Sequence, residues 1–414
     1  ESYRITQPKS GVMGFLSLRP LHVSSAYLGI ITAGLGFVTL IIAKMKTTRF
    51  GTFLQYLHFS LWVIALIGIF YSYFRGDFGG REYWEFNPVW ALPIFVSFIV
   101  FLVFYLHQVG FSMKWPVYYW MWLTGIIFFI FTFIENYLWI FPYFREHFIA
   151  DMTIQWKVNG SLVGAINQII YGVAFYLMEK ISGDEKSSYQ KLSFAMYFLG
   201  MFNLMFNWGH HIYLLPTEKY IHYIAYAVSM TEWIILIRIF YKWSQQIKEN
   251  KQFYYFFPYR FLMASDYWVT INLTLALFMS IPAINLYTHG THITVAHAMG
   301  TTIGINTMII LAGVFYFIKP TFNSAKWRMY GSVTFWIVQV TLLLFLISLI
   351  GMGIQRAIWQ AGLTSESFSK MSSSSGNWVL AFIILGTILM FSMASFFIYL
   401  LIQSYKKNKL ELES

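Results

Sequence analysis

"KLSFAMYFLGMFNLMFNWGHHIY" (191–213) carries neither acid nor base between Lys191 and His210, and then presents two adjacent imidazoles. An apolar run of about 20 residues spans a bilayer as a helix, because backbone polar groups in lipid must pair internally. Imidazoles are costly beside lipid, so His210 and His211 at the end of such a run point to a function.

The rest of the chain repeats the pattern. Of 414 residues, 58% are hydrophobic and only 11% charged. Eleven apolar runs can be marked at about 21–43, 53–74, 88–108, 117–142, 158–179, 190–214, 219–241, 262–286, 291–318, 329–353 and 377–404. Their connections are short and no internal repeat is visible. The expectation is an all-α integral membrane protein, one transmembrane domain over 1–414. The chain opens on the polar "ESYRITQPKS", without the pattern of a secretory signal peptide.

A net charge of +11 raises the question of nucleic acid until the charges are placed. Assigning loops alternately to the two sides puts eighteen Lys and Arg on one side, among them Lys44, Lys114, Lys186, Arg238, Arg260, Arg328 and Lys406. Ten fall on the other. By the positive-inside rule the first side is cytoplasmic, which puts the N-terminus outside and the C-terminus inside. The basic excess is thus a topology signal and no nucleic-acid partner is expected. Cysteine is absent, which excludes disulfides, thiolate metal sites, iron–sulfur clusters and covalently attached haem c within the chain.

With topology taken from Lys and Arg alone, six of the ten histidines converge on the outer side: His22, His210, His211, His289, His292 and His297. Asn159, in the first turn of the fifth run, lies there too. His58, His107, His147 and His222 read as core or interfacial histidines. For His210 and His211 a metal-ligand role is favoured, imidazole being the commonest metal ligand in proteins. In "HGTHITVAHAMG" (289–300), His297 and Met299 stand two residues apart, about 200° around a helix. They can each serve a different haem, although Met alone is more often packing filler.

These segments resemble the haem–copper oxidase superfamily, most closely the large subunit of nitric oxide reductases. The resemblance covers most of the chain and rests on "RPLH" (19–22), "GREYWEF" (80–86), "GHHIY" (209–213), "SMTEW" (229–233) and "HGTHITVAHAMG". That family has twelve core helices, so the eleven runs match its second to twelfth and its first is absent from this chain. The resemblance implies a site toward the outer face of a bacterial inner membrane, with two haem b groups and one non-haem iron. His297 would bind the high-spin haem, His210 and His211 the non-haem metal, and His22 the low-spin haem. Arg81 would meet a propionate, Glu82 a bridging calcium, and Glu232 would be the buried acid near the non-haem metal.

The departures from that family are informative. Counting back from "SGDEK" (182–186), the third histidine of the non-haem metal becomes Asn159 and the glutamate four residues on becomes Val163. A further glutamate becomes Asn167, and the second histidine of the low-spin haem becomes Met299. An Asn carbonyl is a harder, weaker donor than imidazole and suits iron over copper. Val163 also stands where many oxidases carry a redox-active tyrosine, which argues against ordinary oxygen reduction. Met in place of His raises a haem's potential, and Val and Asn deliver no protons. Reduction of two NO to N2O consumes two electrons and two protons, whereas dismutation to N2 and O2 consumes neither. The pattern therefore favours dismutation and is similar to the nitric oxide dismutase branch near the quinol-dependent reductases. A quinol-dependent reductase using Glu232 is the alternative within the class. A catalytically silent haem-binding membrane subunit is the alternative outside it. Quinol and an oligomeric assembly stay open.

Overall fold

A computed structural model describes residues 15–230, 238–239, 241–245, 247, 252, 254–318 and 325–413. Nine helical segments among the described residues are long and apolar enough to cross a membrane. Among the described residues the architecture is all-α apart from one short hairpin.

Several helices begin or end where hydropathy alone does not mark them. The run expected from 158 belongs to a helix, Phe148–Ser182, that starts ten residues earlier. Asn159 therefore sits in its interior, not in its first turn. The early turns carry Asp151, Gln155 and Lys157, which hide the helix from a hydropathy reading; two of them are neutralised, Asp151 by Arg81 at 2.7 Å and Lys157 by Glu135. The run 190–214 is a helix only over Lys191–Phe206, and Asn207–Ile212 continues as a tighter 3-10 segment. His210 and His211 thus ride a 3-10 turn, not an α-helix end. The run 262–286 is two helices, Phe256–Met279 and Pro282–Thr288. Pro282 has no N–H to continue the first and is pre-set to start the second. For the run 219–241, Lys219–Ser229 is helical and residues 231–237, including Glu232, lie outside those described.

The chain divides into two compact units, 1–175 with 188–217 and 176–187 with 218–414. In the first, "GREYWEF" forms the antiparallel hairpin Phe78–Arg81 and Trp84–Phe86. Gly80 permits the tight pairing, since a Cβ there would lie 1.7 Å from the Trp84 carbonyl. Trp84 and Phe86 are fully buried, and Trp84 packs edge-on against Tyr27, Phe129 and Phe133. Trp122 donates to the Ile169 carbonyl at 3.1 Å and lies against Gly172, locking Val117–Asn136 onto Phe148–Ser182. His58, read as a core histidine, is buried and bonded to Ser97 Oγ at 2.8 Å. His107 Nε2 meets Thr48 Oγ1 at 2.8 Å.

In the second unit, Phe256–Met279 packs on Met308–Ile318 and the π-helical turn Gly300–Thr307 that precedes it. Trp268 lies over Gly304 and donates to Gln339 at 2.6 Å. Phe261, Phe315, Phe335 and Phe396 form an aromatic centre joining four helices.

Candidate functional site

The first unit assembles the double-histidine site. Phe148–Ser182 and Lys191–Phe206 can approach closely because "GSLVG" (160–164) places Gly160 and Gly164 one turn apart. Small residues at four-residue spacing let membrane helices touch backbone to backbone. A Cβ on Gly164 would meet Leu204 Cγ at 3.0 Å, and Ser161 Oγ donates to the Leu204 carbonyl at 3.3 Å. A Cβ on Gly160 would fall 3.0 Å from His211 Cδ2 and 3.2 Å from Nε2. His211 is therefore seated directly on the turn that carries Asn159. The His210 ring lies beside it, centroids 4.2 Å apart and tilted by 34°.

Asn159, Val163 and Asn167 recur at four-residue spacing and share one face of the helix. Asn159 is buried, and its Nδ2 is shut from solvent with no hydrogen-bond partner. Its Oδ1 accepts from Gln155 Nε2 at 3.5 Å, and the same Nε2 reaches the Glu82 carbonyl at 3.4 Å. Beside the histidines, Lys157 pairs with Glu135 and lies 5.8 Å from the Trp208 ring centroid. The pair ties Val117–Asn136, Phe148–Ser182 and the histidine turn together. Gln155, Gly160, Lys157 and Trp208 were not singled out from sequence; the GxxxG spacing is the signal that could have found Gly160.

Arg81 and Glu82 are already engaged. Arg81 pairs with Asp151 at 2.7 Å and lies over the Trp139 ring. Glu82 binds Arg19 at 2.7 Å, and Glu85 binds the same guanidinium at 3.4 Å. Burial lifts the Glu85 carboxyl above the usual range, with Arg19 opposing and the negative Glu82 adding. Burial also pushes the Tyr83 hydroxyl up to about 12, with Glu82 adding to the rise. Tyr83 holds a left-handed φ of 71°, uncommon for a bulky residue, and stacks on Tyr27 at 5.7 Å.

His22 is exposed on the Phe15–Ile42 helix, above a run of small residues on the same face: Ser25, Ala26, Gly29 and Gly36. Gly29 and Gly36 have nothing within 4 Å of a would-be Cβ, so the surface beneath the imidazole is smooth. His297 and Met299 belong to the second unit, on the helix His292–Met299. Nδ1 of His297 is buried without a hydrogen-bond partner. The π-helical turn begins directly after Met299, and such turns often mark functional segments. Among the described residues no three His, Cys, Asp or Glu side chains gather as a metal site. The candidate centre instead combines two imidazoles with an amide-bearing turn.

Compared with known proteins, the family described as "Cytochrome C and Quinol oxidase polypeptide I" matches residues 4–388. Cytochrome c oxidase subunit 1 of Rhodobacter capsulatus is 24% identical over 400 residues, covering 90% of this chain and 71% of that protein. A solved heme-copper terminal oxidase dimer superimposes with a TM-score of 0.68 at 14% identity, over 91% of this chain and 74% of the other.

Proposed function

The chain belongs to the family of cytochrome c and quinol oxidase polypeptide I, the heme-copper oxidases, and on that premise we propose that it dismutates nitric oxide, 2 NO to N2 and O2. It is a multi-pass membrane oxidoreductase of that family; the substrate is the step beyond. One observation carries it. The helix on which His211 is seated carries Asn159, Val163 and Asn167 along one face, with no carboxyl, phenol or imidazole among them.

The residues present fit a non-haem metal. His210 and His211 would provide two imidazoles, and the buried amide of Asn159, of which only Nδ2 lacks a hydrogen-bond partner, would supply a third donor through Oδ1. Asn159 Oδ1 accepts only one long bond, from Gln155 Nε2 at 3.5 Å, and keeps a second lone pair that could face a metal. Two imidazoles and a neutral oxygen suit iron better than copper. His297 would hold a high-spin haem b, and His22 with Met299 a low-spin haem b. Arg81 would lie by a propionate. Glu82, occupied by Arg19, is a poor fit for calcium, and none is included in the site.

Bound there, iron and haem would supply NO binding and electron exchange. The chain's own residues set which products form. Two NO to N2 and O2 lowers each nitrogen by two oxidation levels and raises each oxygen by two, so no external electron or proton enters. N2O formation needs two protons, and Val163 and Asn167 hold none to give. Reduction of O2 needs protons as well.

The test is gas analysis of the purified protein with doubly labelled NO under anoxia. Labelled N2 and O2 without any donor are the expected products. N2O alone, and only with added quinol, would replace this reading with a quinol-dependent reductase. No turnover, with haem present, would leave a silent haem-binding subunit.

A further inference from the structure

In the second unit, where the helices Phe256–Met279 and Ala325–Gln360 begin side by side, two guanidiniums crowd one aromatic ring. Arg260 Cζ lies 4.4 Å from the Phe256 ring centroid and Arg328 Cζ 5.2 Å from the same ring. Gly331 lets the two helices come together beside this ring, since a Cβ there would lie 2.3 Å from Cζ of the neighbouring Phe257. Distances of 4.4 and 5.2 Å to one centroid keep the two charges within about 10 Å of each other, close to a Debye length at physiological salt, and half-buried groups are screened less.

Arg260 has five N–H donors. One of them, on Nη1, reaches Ser332 Oγ at 3.1 Å. Among the described residues no carboxylate lies within ion-pair range of Arg260. Neither helix carries an acid in its first turn, so the partial positive charge of both helix starts favours an anion beside the unused donors of Arg260.

The surface of the Ala325–Gln360 helix beyond Arg328 identifies the anion's other half. Met329, Val333, Trp336 and Val340 are exposed by 65%, 54%, 58% and 53%. They recur at four, three and four residues, forming one apolar stripe that leads away from the guanidiniums. A free phosphate has no use for such a stripe, whereas a lipid acyl chain does. The positive-inside reading puts Arg260 and Arg328 at the cytoplasmic leaflet, where anionic lipids concentrate.

We propose that Arg260 and Arg328 bind the phosphodiester of an anionic phospholipid, with one acyl chain lying along Met329, Val333, Trp336 and Val340. Planar guanidiniums pair with phosphate oxygens through two parallel hydrogen bonds, which a zwitterionic lipid's own ammonium would oppose. The site is independent of the reaction proposed above.

The experiment uses the full chain purified in mild detergent. Native mass spectrometry counts retained lipid, and thermal unfolding is followed on adding phosphatidylglycerol, phosphatidylcholine or inorganic phosphate. The expected result is one retained anionic phospholipid per chain and a saturable rise in unfolding temperature with phosphatidylglycerol alone. Arg260→Gln with Arg328→Gln should weaken the phosphatidylglycerol response roughly tenfold or more, given the attraction of each basic residue to an anionic surface. Trp336→Ala, which keeps both charges, should shorten lipid retention without abolishing the preference for the anionic headgroup. Equal responses to phosphatidylglycerol and phosphatidylcholine would overturn the proposal in the unmodified protein, whatever the variants do. So would inorganic phosphate reproducing the whole effect, or undiminished retention by the double variant.

Discussion

Gly160→Ala probes the seat of the histidine pair with a single methyl group. The new Cβ would lie 3.0 Å from His211 Cδ2, 3.2 Å from Nε2 and 3.3 Å from Trp208 Cβ. Favourable contacts between such atoms begin near 3.5 Å, so the imidazole must retreat by about half an ångström. That is about the tolerance a metal-binding constellation has before it fails. Gly164→Ala, one turn deeper, meets Leu204 Cγ at 3.0 Å and Cβ at 3.2 Å: the same overlap, borne by an aliphatic side chain. Overpacking costs about 1–3 kcal/mol, and replacing a helical glycine by alanine returns about 1 kcal/mol. Both variants should therefore lose about 0–2 kcal/mol, by nearly equal amounts. Only Gly160→Ala should also lose non-haem iron, measured per chain by elemental analysis, with both haems retained. If the two variants lost iron equally, or neither lost any at matched unfolding temperature, His211 would not be a ligand seated by Gly160.

Other consequences can be measured separately. The ion pair of Glu135 and Lys157 is about one-third exposed on each side (27% and 31%), so its coupling should be near the upper end of surface pairs, about 1 kcal/mol. A thermal double-mutant cycle of Glu135→Gln and Lys157→Met reads it, and strictly additive losses would show the pair contributes nothing. Burial raises the folded Glu85 carboxyl above its unfolded value, so the folded hairpin holds the extra proton between those two values. Stability should then fall as pH climbs through that window and level off above it. Glu85→Gln should flatten this slope in unfolding temperature; an unchanged slope would assign it elsewhere. Met299→His should lower the midpoint potential of one haem, since imidazole favours oxidised iron more than a thioether does. Redox titration that finds potential and spectrum unmoved removes Met299 from the ligand set.

The all-α membrane class was legible because hydropathy over about 20 residues reports lipid directly. Helix limits were less so where polar residues are neutralised in space. Asp151 and Lys157 read as a loop before 158, yet their partners Arg81 and Glu135 are 70 and 22 residues away in sequence. The 3-10 course of His210 and His211 was equally hidden, because adjacency says nothing of pitch. Of the candidate site, the double histidine stood out through cost: imidazole in an apolar run demands a reason. Its surroundings did not. Gly160 and Gln155 matter through what they touch, His211 and Asn159, and only packing reveals that. Glu232 lies outside the described residues, and its role stays with the sequence reading.

The placement of charge along one helix bears most directly on the proposed reaction. Phe148–Ser182 carries Asp151 and Lys157 near its start and Glu179 and Lys180 near its end. All four are paired, with Arg81, with Glu135 and with each other. Between Lys157 and Glu179 the sequence offers no carboxyl, amine or imidazole. At 1.5 Å per residue those twenty-one positions cover about 30 Å, the full thickness of a bilayer's hydrocarbon core. A chain of side-chain acids and bases along this helix therefore comes no nearer to Asn159 on the inner side than the phenol of Tyr171, twelve residues and about 18 Å away. A reaction drawing protons at Asn159 would need another route, whereas one that rearranges N and O without net proton uptake needs none. The helix that seats His211 and carries Asn159, Val163 and Asn167 thus holds no charged side chain between Lys157 and Glu179.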